Sequence, residues 1–278
     1  MIAGAQIDLE SLIEVELPPL PGVAMRVAAL TQDLDASTRK IADAIGYDPA
    51  LAARVLRAAN SPLFCFQRNI TALPMAVSAL GNETLYSLVF MSAAAEAFTK
   101  GARSKFERDL WEHSVAVGVA AREIMLLLRL RGLEEGFLCG LLHDIGRLML
   151  LRHDPGSYEQ LLTAPDENEL LRGESTLYGY THAQIGALAA KRWNLPDEIG
   201  QTIFHHHDPG QAVNGILMAR VVDVADSLAY HAGFGIKFDE KNLMETESAI
   251  ALRLSEEQIE QVIEKTREGA GEAISMLG

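Results

Sequence analysis

Cysteine is nearly absent from this chain. Cys65 and Cys139 are the two in 278 residues, far apart and in no Cys-x-x-Cys pair, so both are expected as buried free thiols of a reducing compartment. Aromatic residues make up only 6%, against 49% hydrophobic residues dominated by Ala and Leu, which suits helices packed on helices and argues against a β-rich sandwich. Positive charge is also scarce. The net charge of −14 disfavours a phosphate backbone as partner, and no Lys/Arg cluster reverses it locally; Arg129 and Arg131 merely flank an apolar helix end. Nucleic acid is therefore not an expected partner. The longest apolar run, Leu88 to Ala95, is interrupted by Ser92 and ends at Glu96, and no basic segment precedes an apolar stretch at the N-terminus. A soluble, cytoplasmic protein with no membrane partner is expected. No Gly-x-Ser-x-Gly elbow, Walker-type loop, internal repeat or long Gly/Ser linker is found.

What is present is helix punctuation. After a mixed, acidic lead over residues 1–16, Leu17 to Pro21 is a proline-stiffened entry, and Val23, Val27 and Leu30 follow at helical spacing. Ser37 can cap a helix that stops at Gly46. Asp48 followed by Pro49 opens another, broken at Asn60-Ser61-Pro62. Helices are predicted over Pro74–Leu80, Glu83–Phe98 and Phe106–Arg129, with Lys100 to Ser104 as the best internal boundary. Further helices end near His143, restart after Gly146, and start at Thr181, whose Thr-x-x-Gln pattern is a capping box with His182 in the first turn. Others run from Pro196 into His205, from Gln211 to Tyr230, and from a second capping box at Ser255; residues 233–247 read as loop. Sustained period-two alternation is lacking, so the predicted fold is all-α.

The chemistry-bearing residues are a spread set of His and Asp: His113, His143-Asp144, His182, His206-His207 and Asp226. Neutral imidazole suits Zn, Fe, Mn or Ni, and a carboxylate can offset the charge of two close divalent ions with its two oxygens. Each His alone is more often an interior or surface residue than a ligand, and Asp144 could simply cap the next helix. Asp223, one turn before Asp226, is an alternative to it. His153, His205 and His231 are left at that bland reading. Cys139, one turn from His143, reads as core packing, and Asn60 as a side-chain-bonded helix terminus.

The order of these residues resembles the HD superfamily of metal-dependent phosphohydrolases. The remaining motifs resemble one branch of it, the HDOD domain of bacterial signalling proteins. They are Leu17-Pro-Pro-Leu-Pro21, Tyr47-Asp-Pro-Ala-Leu51, Arg57-Ala-Ala-Asn-Ser61, Ala79-Leu-Gly81, Leu141-Leu-His-Asp-Ile-Gly146, Tyr180-Thr-His-Ala-Gln-Ile-Gly186, Trp193-Asn-Leu-Pro196, His206-His207 and Val224-Ala-Asp226. The resemblance covers roughly residues 17–230. It implies an HD-like helical bundle over 105–235, preceded by an HDOD-specific helical part over 17–104 and followed by a C-terminal helical extension over 236–278. It further implies one or two divalent ions (Fe, Mn or Zn). One would be held by His113, His143, Asp144 and Asp226, the other by Asp144, His182, His206 and His207.

Two functions follow from the resemblance. One is a signalling module with little or no catalysis, acting through signalling proteins or a phosphate-containing small ligand, with a second copy of the chain as a further partner left open. No receiver domain stands beside it, so its input is expected to arrive through binding. The alternative is a metal-dependent phosphohydrolase or phosphodiesterase, with Asp144 orienting the nucleophile and Arg147 clamping phosphate. In cyclic di-GMP-degrading HD-GYP enzymes a lysine occupies the position of Arg147, and arginine is not its geometric equivalent. Asp208-Pro-Gly-Gln-Ala follows the His pair where those enzymes carry Gly-Tyr-Pro, which counts against cyclic di-GMP hydrolysis.

Overall fold

Helix ends fall where side chains can satisfy the backbone groups that a helix leaves without partners. The structure, a computed structural model, describes residues 7–61, 70–100, 104–235 and 243–277; Cys65 lies outside them. Among the described residues there are helices and no strand, so the chain is all-α. The first group comprises α1 (Leu9–Glu16), α2 (Gly22–Gln32), α3 (Thr38–Gly46), α4 (Pro49–Asn60) and α5 (Leu73–Thr99). The second comprises α6 (Lys105–Leu127), α7 (Leu133–Leu142), α8 (Ile145–His153), α9 (Pro155–Leu161), α10 (Glu167–Tyr178), α11 (His182–Arg192), α12 (Asp197–His205) and α13 (Ile216–His231). The chain closes with α14 (Glu247–Leu252) and α15 (Glu256–Leu277).

The caps are those the sequence announces. Ser37 accepts from the Lys40 N–H, Asp48 from the Ala50 and Leu51 N–H groups, and Thr181 and Gln184 form a reciprocal capping box. Asn60 donates to the Leu56 and Ile70 carbonyls and accepts from the Ile70 N–H, so it is a structural clamp. The predicted break at Gly81 is a kink inside α5, where φ is +76°.

Two expectations are corrected. The acidic lead contains α1, whose Leu12 and Ile13 are buried and which packs on α8 and α11. Only two of its side chains are buried, too few to show a periodic stripe in the sequence. The helix expected from Gln211 begins instead at Ile216, because Gly215 takes a left-handed conformation (φ +73°) that an ordinary helix cannot contain.

Around α5 the packing is apolar: α2, α3 and α4 lie against it, and Leu85, Leu88, Met91, Ala94 and Phe98 are buried. The second group builds on α6, which packs against α7, α13 and α15. The stripe of α15 therefore covers α6 directly, with Val262, Ala270 and Ala273 buried. The entry segment is tied to the second group by the Trp193 indole N–H, which donates to the Pro18 carbonyl at 3.0 Å. No helix among the described residues is long and apolar enough to cross a membrane.

Candidate metal centre

Five segments deliver the site. His113 comes from the middle of α6, and His143-Asp144 from the turn between α7 and α8. His182 is the first residue of α11, His206 and His207 follow α12, and Asp226 lies on α13. One contact makes this convergence feasible. A Cβ on Gly146 would run into the backbone carbonyl of His182, so α8 and α11 approach backbone to backbone and bring His182 beside Asp144. His143, Asp144, His182 and His206 are no more than 1% exposed.

Six of the seven residues form two groups that share Asp144, and Asp226 adjoins the first through His113 and His143. In the first, His113 Nε2 lies 2.9 Å from Asp226 Oδ1, and His143 Nε2 lies 3.4 Å from Asp144 Oδ2 and 3.8 Å from Asp226 Oδ1. In the second, Asp144 Oδ1 is 3.2 Å from His182 Nε2 and 3.8 Å from His206 Nε2. His182 Nε2 is in turn 2.9 Å from His207 Nε2 and 3.5 Å from His206 Nε2. An ion about 2.0–2.2 Å from N and O ligands sets neighbouring ligand atoms about 3.0–3.5 Å apart, a window that three of these spacings meet and the others approach within about 0.3 Å. His153 and His231 are exposed and His205 half-buried, and all three stay outside both groups.

Hydrogen bonds behind the rings aim the donors. The Nδ1–H of His143 donates to the Gly140 carbonyl and that of His206 to the Ile203 carbonyl, both at 2.7 Å. His182 Nδ1 meets both oxygens of Glu174, at 2.9 and 3.0 Å. A proton fixed on Nδ1 leaves the Nε2 lone pair facing the centre. Nε2 of His113 and His143 and Oδ1 of Asp144 and Asp226 are buried, and their close polar neighbours are one another, His182 and Arg147. The donor set and its spacing therefore fit a divalent ion. Asp144 stands at the N-cap of α8 but makes no capping bond, so the bland reading of it fails.

Charge at the site is strongly coupled. Burial would raise the Asp144 carboxyl, but Arg147 and His143 hold it well below the usual carboxylate range. Burial opposes a charge on His182, yet the Glu174 carboxylate outweighs it and lifts the pKa to about 9. His143 is also raised: burial works against it, and Asp144 prevails. Burial, with His143 and His182 nearby, pushes His206 down to about 3, and burial together with His206 holds His207 well below its usual value.

Several participants had escaped the sequence. Glu174 is fully buried, fastens His182 and accepts from the Tyr158 hydroxyl at 2.6 Å. Its one sequence signal is position: Leu170, Glu174 and Tyr178 are the buried stripe of α10, and a carboxylate interrupts it. Glu167, at the start of α10, accepts from Arg147 Nη2 at 2.6 Å and lies 3.3 Å from His207 Nε2. The Tyr230 ring stacks on His113 at 4.6 Å. Arg147 itself is only 3% exposed, its Nε 2.8 Å from Asp144 Oδ1. Cys139 is buried, and burial raises its thiol pKa far above the usual value, as expected of a packing residue.

Known proteins share this architecture. The chain is similar to an HDOD domain protein of unknown function from Geobacter sulfurreducens, at 27% identity and TM-score 0.75 over 97% of this chain and 96% of that one. It is also similar to a candidate phosphohydrolase from Shewanella amazonensis SB2B, at 26% identity and TM-score 0.73 over the same shares. An uncharacterised protein of Treponema pallidum (strain Nichols) is 25% identical over 202 residues; the match spans 70% of this chain but only 38% of that longer relative. The profile of the HDOD domain matches residues 17–209, well over half of the 278 residues. The chain belongs to the HDOD domain family.

Proposed function

We propose that the chain is a bacterial signalling module that binds one or two divalent ions (Fe, Mn or Zn). It would act in the cytoplasm through contacts with signalling proteins, a second copy of itself or a phosphate-bearing small ligand, with little or no catalysis. The observation that carries the metal-binding reading is the set of ligand-to-ligand spacings around Asp144, with lone pairs turned inward. Little catalysis is favoured by the surroundings. The cavity reaching His113, Asp144 and Arg147 measures about 20 Å³, room for about one water, and its walls include Phe106, Leu110, Leu151 and Leu162. An ion held by His113, His143, Asp144 and Asp226 would tie α6, the turn between α7 and α8, and α13 together, so its arrival would stiffen the second helical group.

The alternative, a metal-dependent phosphohydrolase, is favoured by the way both donor groups share Asp144 and by the likeness to the Shewanella protein. A divalent ion would supply Lewis-acid activation of a water nucleophile. Asp144 would orient that water. Arg147 would have to exchange Glu167 for a substrate phosphate, since its guanidinium now faces two carboxylates.

Metal analysis of protein reconstituted with Fe, Mn or Zn, followed by a screen of nucleotides and phosphodiesters, tests both readings. Bound metal without turnover is the expected result. Turnover that disappears in Asp144→Ala would establish the alternative, and failure to take up any metal would overturn both.

A further inference from the structure

The two donor groups share a carboxylate but differ in charge. His113 and His143 are joined by two carboxylate oxygens, Asp226 Oδ1 and Asp144 Oδ2. His182 and His206 face Asp144 Oδ1, and Arg147 Nε lies 2.8 Å from that same atom. The other end of the guanidinium is held by Glu167 Oε1 at 2.6 Å, and this oxygen borders His207 Nε2 at 3.3 Å. Arg147 thus lies along the edge of the three-imidazole group, fastened at both ends to oxygens that also face its rings. A guanidinium cannot lose its proton in a protein, so this positive charge is permanent.

A divalent ion among His182, His206 and His207 would meet two carboxylate oxygens, Asp144 Oδ1 and Glu167 Oε1, and would have to share both with that charge. An ion among His113, His143 and Asp226 would meet the other oxygen of Asp144 and a second carboxylate besides. Glu174 works in the opposite sense, making His182 a stronger donor from behind. Its effect passes through the ring and is shared with the Tyr158 hydroxyl, whereas Arg147 touches the coordinating oxygen itself.

We propose that Arg147 is the built-in cation of this centre and the residue that sets its metal count. One ion is held tightly by His113, His143, Asp144 and Asp226, and the second position is kept weak. The proposal rests on the metal-binding reading above and adds to it which position fills and why.

The test is a Mn²⁺ titration of the metal-free full chain, with free ion and spin coupling between paired ions followed by electron paramagnetic resonance. The native chain should hold one ion at least about tenfold more tightly than the second. Arg147→Gln should close most of that gap and give a spin-coupled pair at two equivalents, while Arg147→Lys, which keeps the charge but lacks the two-ended fork, should close less of the gap than Arg147→Gln. Should Arg147→Gln fail to fold, location decides: Asp226→Asn should lose the tight ion and His207→Ala should keep it. Two ions bound equally by the native chain would overturn the proposal, as would an unchanged gap in a folded Arg147→Gln or a tight ion that follows His207. Each of those results leaves the metal-binding reading standing. No Mn²⁺ uptake at all would overturn that reading, and this proposal with it.

Discussion

The interior around α5 and the interior between α6 and α13 differ in kind. Among the described residues before Lys100 the buried polar side chains are Thr31, Ser87 and Ser92, all neutral. Between α6 and α13 the interior contains Glu107, His113, His143, Asp144, Arg147, Glu174, His182 and His206. Apolar burial stabilises a fold by itself, whereas buried ionisable groups stay tolerable only when each is paired. The first region can therefore vary its contents at constant volume. The second has its residue types fixed by charge pairing, and that pattern of constraint marks a site.

Matched substitutions at a core position in each region should split most widely. Asp144→Ala leaves Arg147 and three imidazoles without their shared carboxylate, and breaking a buried pair of this kind costs about 3–5 kcal/mol. Metal uptake should vanish with it. Ile45→Ala, at a fully buried position in α3, should cost about 2–5 kcal/mol and leave metal uptake intact. Urea unfolding with metal analysis of each variant distinguishes them; loss of metal in Ile45→Ala would erase the contrast.

Acidity should separate the regions next. His182, raised to about 9 from 6.5, adds stability that is complete below pH 6.5 and is lost as pH climbs through about 9. His206, lowered to about 3 from 6.5, acts in reverse: its contribution is present above pH 6.5 and fades as pH falls towards 3. Metal-free protein should therefore be most stable near pH 6.5, and a His182→Ala variant should lose the alkaline limb. Uptake of the second ion at neutral pH should displace a proton from His182 but none from His206, so affinity at that position should rise about tenfold per pH unit between 6 and 8. Calorimetry in buffers of different ionisation enthalpy counts that proton; zero release would contradict the scheme.

A supporting residue should have a smaller but still measurable effect. Glu174→Gln keeps the shape behind His182 and removes the charge, and changes of this kind typically weaken metal affinity about 10–100-fold, here for the second ion. Equilibrium dialysis against Mn²⁺ would show it, and unchanged affinity would reduce Glu174 to a packing role.

The smallest effects should come from helix caps. Ser37→Ala and Thr181→Ala each remove a side-chain cap worth about 1 kcal/mol. Only the second should also weaken binding of the second ion, because His182 is the first residue of the helix that Thr181 caps. Thermal midpoints with and without metal compare the two.

Local signals in the chain determined its helices. Ser37, Asp48-Pro49, Thr181 and Ser255 act within four residues of themselves, so their meaning survives without any tertiary context. The ordered His and Asp residues likewise marked the centre, because coordination chemistry restricts ligands to a few residue types. Tertiary structure decided the remainder. Glu174 and Glu167 look like ordinary acidic residues of α10 until folding sets them beside His182 and Arg147. Arg147 could be read as a hand reaching for phosphate, until packing buried it between Asp144 and Glu167. Gly146 had no assigned task until the His182 carbonyl came to occupy the space of its missing Cβ. The division is physical: caps and ligand types are properties of a few adjacent residues, while charge pairing and close approach arise between segments that only the folded chain brings together.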